Sequence, residues 1–300
     1  MNCCIRFFAT RILRQRPKKI MKNNQQKSTL CPNCRKLISA DDHSCPFCGI
    51  LRPGSRLHSN VLSRGLADGD RLIRLIIYTN IAMYIITLLF NPGFRHFSFN
   101  PLSILAPDYR SLLLLGATGT LPIDQMHRWW SLVAANYLHG GILHIFFNMI
   151  ALKQIAPLIN REYGSYRMFA IYTIGGVTGF AASYLAGVSL TIGASAAVCA
   201  LIGAALYYGK SRGGLYGQAI YRQIGGWTIG LFVFGFIVPG INNWGHGGGI
   251  IGGVLLGFCL GYNEKTKKCF SHKIIAGTCM AVTLLTLGWA VISGCYYKLM

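Results

Sequence analysis

The stretch LIRLIIYTNIAMYIITLLF at 72–90 is nineteen residues long and carries one charge, Arg74. That is the length an α-helix needs to cross about 30 Å of hydrocarbon. Six further apolar stretches follow at 142–160, 168–187, 194–209, 224–240, 244–262 and 274–296. Together they predict an all-α polytopic membrane protein with seven spanning helices. A single large soluble core would not be cut into blocks of this length. Composition agrees, since 52% hydrophobic and 12% charged residues, with mean hydropathy +0.42, lie outside the soluble norm.

The formal charge of +21 would suggest a nucleic-acid binder in a soluble protein, but 15 of the 29 Lys and Arg residues lie at or before Arg74. Most of the others fall between apolar blocks, which fits membrane orientation better than a nucleic-acid groove, and no nucleic-acid partner is expected. Arg161 and Arg167, then Lys210, Arg212 and Arg222, then Lys265, Lys267, Lys268 and Lys273 occupy alternate connections. Those connections are expected in the cytoplasm with the N-terminus, and the C-terminus outside. A bacterial inner membrane is the first expectation, with an organelle membrane as the other. The basic residues 1–28 contain no apolar core of signal-peptide length; Met21 is an alternative start, and a basic membrane-surface or targeting segment is the rival reading. The connection at 91–141, rich in Leu and aromatic residues such as Trp129 and Trp130, is read either as lying in the outer interface or as a buried structural loop.

Cys31 and Cys34, then Cys45 and Cys48, form two C-x-x-C knuckles ten residues apart. This is the spacing of a zinc ribbon, in which four thiolates hold one structural Zn²⁺ tetrahedrally. The ribbon is expected over 29–52 and a polar linker over 53–71. Two disulfides or a redox pair are the alternatives; a cytosolic location disfavours the first. The ribbon has three readings: it binds a cytosolic protein, binds nucleic acid, or simply folds. Cys199, Cys259, Cys279 and Cys295 sit singly in apolar blocks and are assigned to packing.

Ser195, His144, Asn148 and His246 also lie in apolar blocks, where a polar group is costly enough to raise a functional hypothesis. A single Ser or Asn in a membrane helix reads more readily as interhelical glue, and a lone His somewhat less so. With the expected topology, however, the second, fourth and sixth spans start on the outer side, and all four residues fall in the first turns of those spans. His144 and Asn148, four apart, share a helical face, and Ser195 follows Gly193 and Ala194 at a helix start, where free amides stabilise an anion. His246 shares a stripe with Gly249, Gly253 and Gly257, small residues that let the fourth span approach. No Asp or Glu is expected inside a span. The reading is a catalytic dyad in which His246 takes the Ser195 proton and Asn148 helps to hold the oxyanion.

These residues resemble the rhomboid family of intramembrane serine proteases. The run 138–148, from Leu138 and His139 to His144 and Asn148, resembles the family's second-helix motif, which implies that His144 and Asn148 contribute to the oxyanion hole beside Ser195. Gly193-Ala194-Ser195 matches the first three positions of a Gly-x-Ser-Gly motif, and His246 to Gly249 with Gly253 resembles the motif carrying the base. The resemblance implies a six-helix protease domain over 72–262, an additional C-terminal helix at 274–296, and single-span membrane proteins as substrates, with no cofactor for catalysis. Three positions depart from the family pattern: Ala196 in place of Gly, Cys199 in place of an aromatic residue, and Ser131 where an Arg follows Trp130. A catalytically silent relative that captures membrane clients is the alternative function. A transporter is disfavoured because no intramembrane acid is expected.

Overall fold

The computed structural model describes residues 28–31, 36–47, 66, 68–91, 105–265 and 270–299. The basic N-terminal segment with Met21, Cys34 and Cys48, and most of the linker lie outside the described residues. The chain divides into two compact units, Met1–Asn60 and Val61–Met300.

In the first unit, β1 (Ser28–Leu30) pairs antiparallel with β2 (Leu37–Ser39) in the register Thr29 to Ile38. The Cys31 amide donates to the Lys36 carbonyl at 2.9 Å, closing the hairpin. Cys31 and Cys45 are both buried and cluster with Ile38.

The second unit is helical. α1 (Gly69–Leu89) is capped by Asp68, whose carboxylate accepts from the Arg71 amide. Residues 105–141 of the connection after it form a packed segment with α2 (Tyr109–Leu114), a π-turn at Leu121–Gln125, α3 (Ser131–Ala134) and a 3₁₀ turn at Ala135–Tyr137. Leu112, Leu115, Ile123, Tyr137 and Leu138 are buried in it, while Trp129 is exposed. Long helices follow: α4 (Ile142–Tyr163), α5 (Ser165–Leu185), α6 (Ser195–Arg212), α7 (Gly214–Ile237), α8 (Asn243–Leu260) and α9 (Phe270–Leu299).

Among the described residues seven helices reach eighteen residues, and five of them, α1, α4, α5, α7 and α9, are long and apolar enough to cross a membrane. The cationic connections are shorter than expected. Arg161 closes α4, Arg167 belongs to α5, and Gly164 alone separates the two helices at φ +83°. Lys210 and Arg212 end α6, while Arg222 lies inside α7, which starts ten residues earlier than hydropathy suggests because its first turns carry Tyr216, Gln218 and Gln223. Glu162 likewise falls on α4, in its last turn, away from His144.

α6 is the central helix, buried along most of its length between α5 and α8. Close approach explains why: a Cβ on Gly249 would run into the Ala196 carbonyl oxygen, and one on Gly253 into the Ala200 carbonyl oxygen. Gly257 meets Ala204 one turn further on. The pairs 196/249, 200/253 and 204/257 keep a constant offset, so α6 and α8 run in the same direction. α9 packs on α5, and the Lys298 ammonium donates to the Leu89 carbonyl at the end of α1 at 2.7 Å.

Candidate active site

Ser195 is the first residue of α6 and is half-buried. The turn before it needs glycine, because Gly193 has φ +126°. Its amide donates to the Ala135 carbonyl at 2.9 Å, fixing the turn on the 3₁₀ segment. The Val198 amide donates to the Ala194 carbonyl at 2.9 Å as the first helical donor, so the amides of Ser195, Ala196 and Ala197 before it have no partner within the helix.

His246 lies in the first turn of α8, 6% exposed. The constant pairing between α6 and α8, carried back one turn from Gly249, sets His246 beside the start of α6, at the turn of Gly193 and Ser195. Its Nδ1 is buried without a hydrogen-bond partner among the described residues. Among the described residues Ser195 and His246 make no hydrogen bond to each other.

His144 is held by the Gly140 amide, which donates to its Nδ1 at 3.2 Å. Its Nε2 therefore turns toward the Gly193 turn: a Cβ on Gly193 would lie 2.8 Å from His144 Nε2 and 3.5 Å from Ser195 Oγ. Asn148 is buried, with its amide donating to its own helix at the His144 carbonyl, 2.9 Å. One amide hydrogen of Asn148 is left over. His144 and Ser195 thus meet around Gly193, His246 is level with them, and Asn148 is one turn below His144 with its amide partly engaged.

The Ala196 methyl is housed rather than obstructive, because the facing residue on α5 is Gly179, where a Cβ would lie 2.9 Å from the Ala196 methyl. Cys199 is buried against α8 beside Gly249. Ser131 bonds Thr118 Oγ1 at 2.9 Å, while Arg128 reaches the Leu113 carbonyl at 2.8 Å. Sequence reasoning gave no role to His139, which is fully buried with its ring 5.1 Å from that of His144. It also passed over Asn242, the cap of α8, although an Asn just before a glycine-rich helix is a recognisable cap signal.

Of the four expected zinc ligands, Cys31 and Cys45 are buried together, while Cys34 and Cys48 fall outside the described residues. Among the described residues alone, no group of three or more His, Cys, Asp or Glu could hold a metal ion. The paired burial of Cys31 and Cys45 fits the donor set of a ribbon. A groove of about 300 Å³ also opens between α4 and α7, lined by Ile155, Leu158, Arg161, Ile220 and Trp227, at the end of α4 away from His144.

Several apolar helices long enough to cross a bilayer, in a bundle that also holds a partly buried cluster of Ser, His and Asn side chains, define a multi-pass integral membrane protein. The Rhomboid domain family matches residues 126–263. RHOMBOID-like protein 5 of Arabidopsis thaliana is 32% identical over 216 residues, covering 62% of this chain and 69% of that protein. Rhomboid protease GluP of Bacillus subtilis (strain 168) is 38% identical over 151 residues, 50% of this chain and 30% of that protein. RHOMBOID-like protein 4 of Arabidopsis thaliana is 29% identical over 248 residues, so this chain spans 61% of its length. The chain belongs to the rhomboid family.

Proposed function

We propose that this protein is a serine endopeptidase that hydrolyses peptide bonds in or near the transmembrane helices of membrane-protein substrates. Ser195 Oγ attacks the scissile carbonyl carbon while His246 takes its proton. The C–N bond then breaks, His246 returns the proton to the leaving amine, and water releases the acyl group from Ser195. The amides at the start of α6, with His144 Nε2 and the remaining Asn148 amide hydrogen, supply the oxyanion donors. The observation that carries this reading is the α6–α8 pairing through Gly249 and Gly253, which sets His246 level with the Gly193 turn. The Ser195–His246 hydrogen bond forms as substrate closes the site, since such bonds are often long before substrate is bound.

All seven long helices cross the bilayer in this reading, including the shorter α6 and α8, with the cationic ends in the cytoplasm and the dyad near the outer face. Cys31, Cys34, Cys45 and Cys48 hold a structural Zn²⁺ in a ribbon that takes a cytosolic protein partner. The deciding experiment is cleavage of a single-span reporter in liposomes by wild type, Ser195→Ala and His246→Ala. Loss in both variants is expected. A folded wild type that cuts no reporter and resists a fluorophosphonate would replace the protease with a silent client-binding relative.

A further inference from the structure

Asn242 does more than cap α8. Its Oδ1 accepts from the Gly245 amide at 3.0 Å, which is the cap. Its amide nitrogen donates twice more, to Ser183 Oγ at 2.7 Å and to Thr191 Oγ1 at 2.8 Å. Ser183 belongs to the last turns of α5, and its hydroxyl donates onward to the Gly179 carbonyl at 3.0 Å. Thr191 lies in the segment that leads into Gly193 and Ser195. It is paired in both directions with Thr118, amide to carbonyl, at 3.1 and 2.7 Å.

One side chain therefore joins three pieces of chain: the start of the helix bearing His246, the end of α5, and the run into Ser195. A cap needs only the side-chain oxygen, and Ser serves there as well as Asn. Only the amide group, with two hydrogens on one nitrogen, also reaches two separate hydroxyls. The spacing is suggestive too, since Asn242 stands four residues before His246 and Thr191 four before Ser195. Each end of the Asn242–Thr191 bond is four residues of chain from a member of the dyad, along the first turn of α8 on one side and the non-helical run into α6 on the other.

We infer that Asn242 is a positioning residue that fixes the segment carrying Ser195 against the helix carrying His246, through its bonds to Thr191 and Ser183. This rests on the reading of Ser195 and His246 as the dyad. The clamp matters because, among the described residues, no hydrogen bond ties Ser195 to His246 directly, and a misplacement of about 1 Å at a reacting pair costs on the order of 100-fold in rate.

The test separates cap from clamp. Asn242→Ser keeps an acceptor for the Gly245 amide but is too short to reach Ser183 and Thr191. The expected result in full-length protein is a kcat about 10- to 100-fold lower with KM changed little, and a thermal midpoint close to wild type. Hydrogen exchange at the Thr118 and Thr191 amides should accelerate while Gly245 stays protected. Thr191→Val removes the same link from the other side and keeps the question open should Asn242→Ser fold poorly. The double variant should lose no more than the worse single one, as for partners in one bond. Wild-type kcat together with wild-type exchange in Asn242→Ser and Thr191→Val overturns the inference. If wild type itself cuts nothing, the dyad reading fails instead, and the exchange comparison still decides the clamp: faster exchange at Thr191 supports it and unchanged exchange overturns it.

Discussion

Replacing Gly249 by Ala should damage both stability and cleavage, and the contact surface between α6 and α8 says by how much. The added methyl would meet the Ala196 carbonyl oxygen and come within 3.1 Å of the Cys199 Cβ. The Ala196 carbonyl is held in the first turn of α6 and cannot rotate away, so the backbones themselves must part, by about 1 Å, to restore an ordinary carbon–oxygen contact. Overpacking of this kind costs about 1–3 kcal/mol, of which the better helix propensity of Ala recovers up to about 1 kcal/mol. A net loss of about 1–2 kcal/mol is expected in thermal unfolding in detergent. Activity should fall further than stability, because Gly249 is one turn from His246 and Ala196 follows Ser195, and a shift of about 1 Å there costs on the order of 100-fold. Gly253→Ala meets the Ala200 carbonyl one turn deeper and should cost similar stability with a smaller loss of rate. Gly230→Ala has nothing within 4 Å of its methyl and should be neutral or slightly stabilising. Wild-type rate and stability in Gly249→Ala would refute the close-contact argument, and so would an equal loss in Gly230→Ala.

Other outcomes follow from single side chains. Arg167 is 2% exposed and donates to the carbonyls at the end of α8, Gly261 among them, and to Asn263 Oδ1 at 3.2 Å. Arg167→Met should cost about 2–4 kcal/mol in unfolding by leaving those acceptors unpaired, and Lys should rescue little because it lacks the planar fork. Burial, with His144 alongside, holds His139 well below the usual imidazole range. The native chain keeps it neutral while the unfolded chain takes up a proton below pH about 6.5, so stability should fall on acidification by at most about 1.4 kcal/mol per pH unit. Melting at pH 7 and pH 5 should show a smaller acid loss in His139→Leu than in wild type. Elemental analysis of purified protein should find one zinc per chain, and less in Cys31→Ser and Cys45→Ser; zinc-free wild type with its thiols intact would remove the ribbon's metal.

The helices were legible in the sequence as apolar length, and the least legible stretches are the ones nearest the chemistry. α6 and α8, read from the sequence as the stretches 194–209 and 244–262, are each 18 residues long and are the two long helices outside the five most plainly apolar ones. The reason is physical: α8 carries Gly245, Gly247, Gly248, Gly249, Gly252, Gly253 and Gly257, and glycine dilutes hydropathy in the same measure as it permits backbone contact. A helix enclosed by other helices need not be apolar toward lipid, and α6 is buried along most of its length. The early start of α7 was hidden for a related reason. Tyr216 in its first turn donates to Glu162 Oε1 at 2.9 Å, a polar tie between helix ends that reads as a loop when only hydropathy is weighed.

The stripe of His246, Gly249, Gly253 and Gly257 was readable because it repeats along one helix, and the contacts with Ala196, Ala200 and Ala204 bear that stripe out. The Asn242 link was not readable, because Ser183, Thr191 and Asn242 come from three segments and share no period. Periodicity reports what one helix presents, whereas the relative placement of two helices is set by the few side chains that cross between segments. In a bundle whose central helices touch backbone to backbone, their lateral spacing is set by glycine. The remaining freedom at their ends, where Ser195 and His246 sit, must be removed by polar links such as that of Asn242, since the small residues there offer no side chains to interlock. Substitutions at Gly249 and at Asn242 should therefore differ in kind: the first changes how far apart the helices stand, and the second how firmly their ends are held.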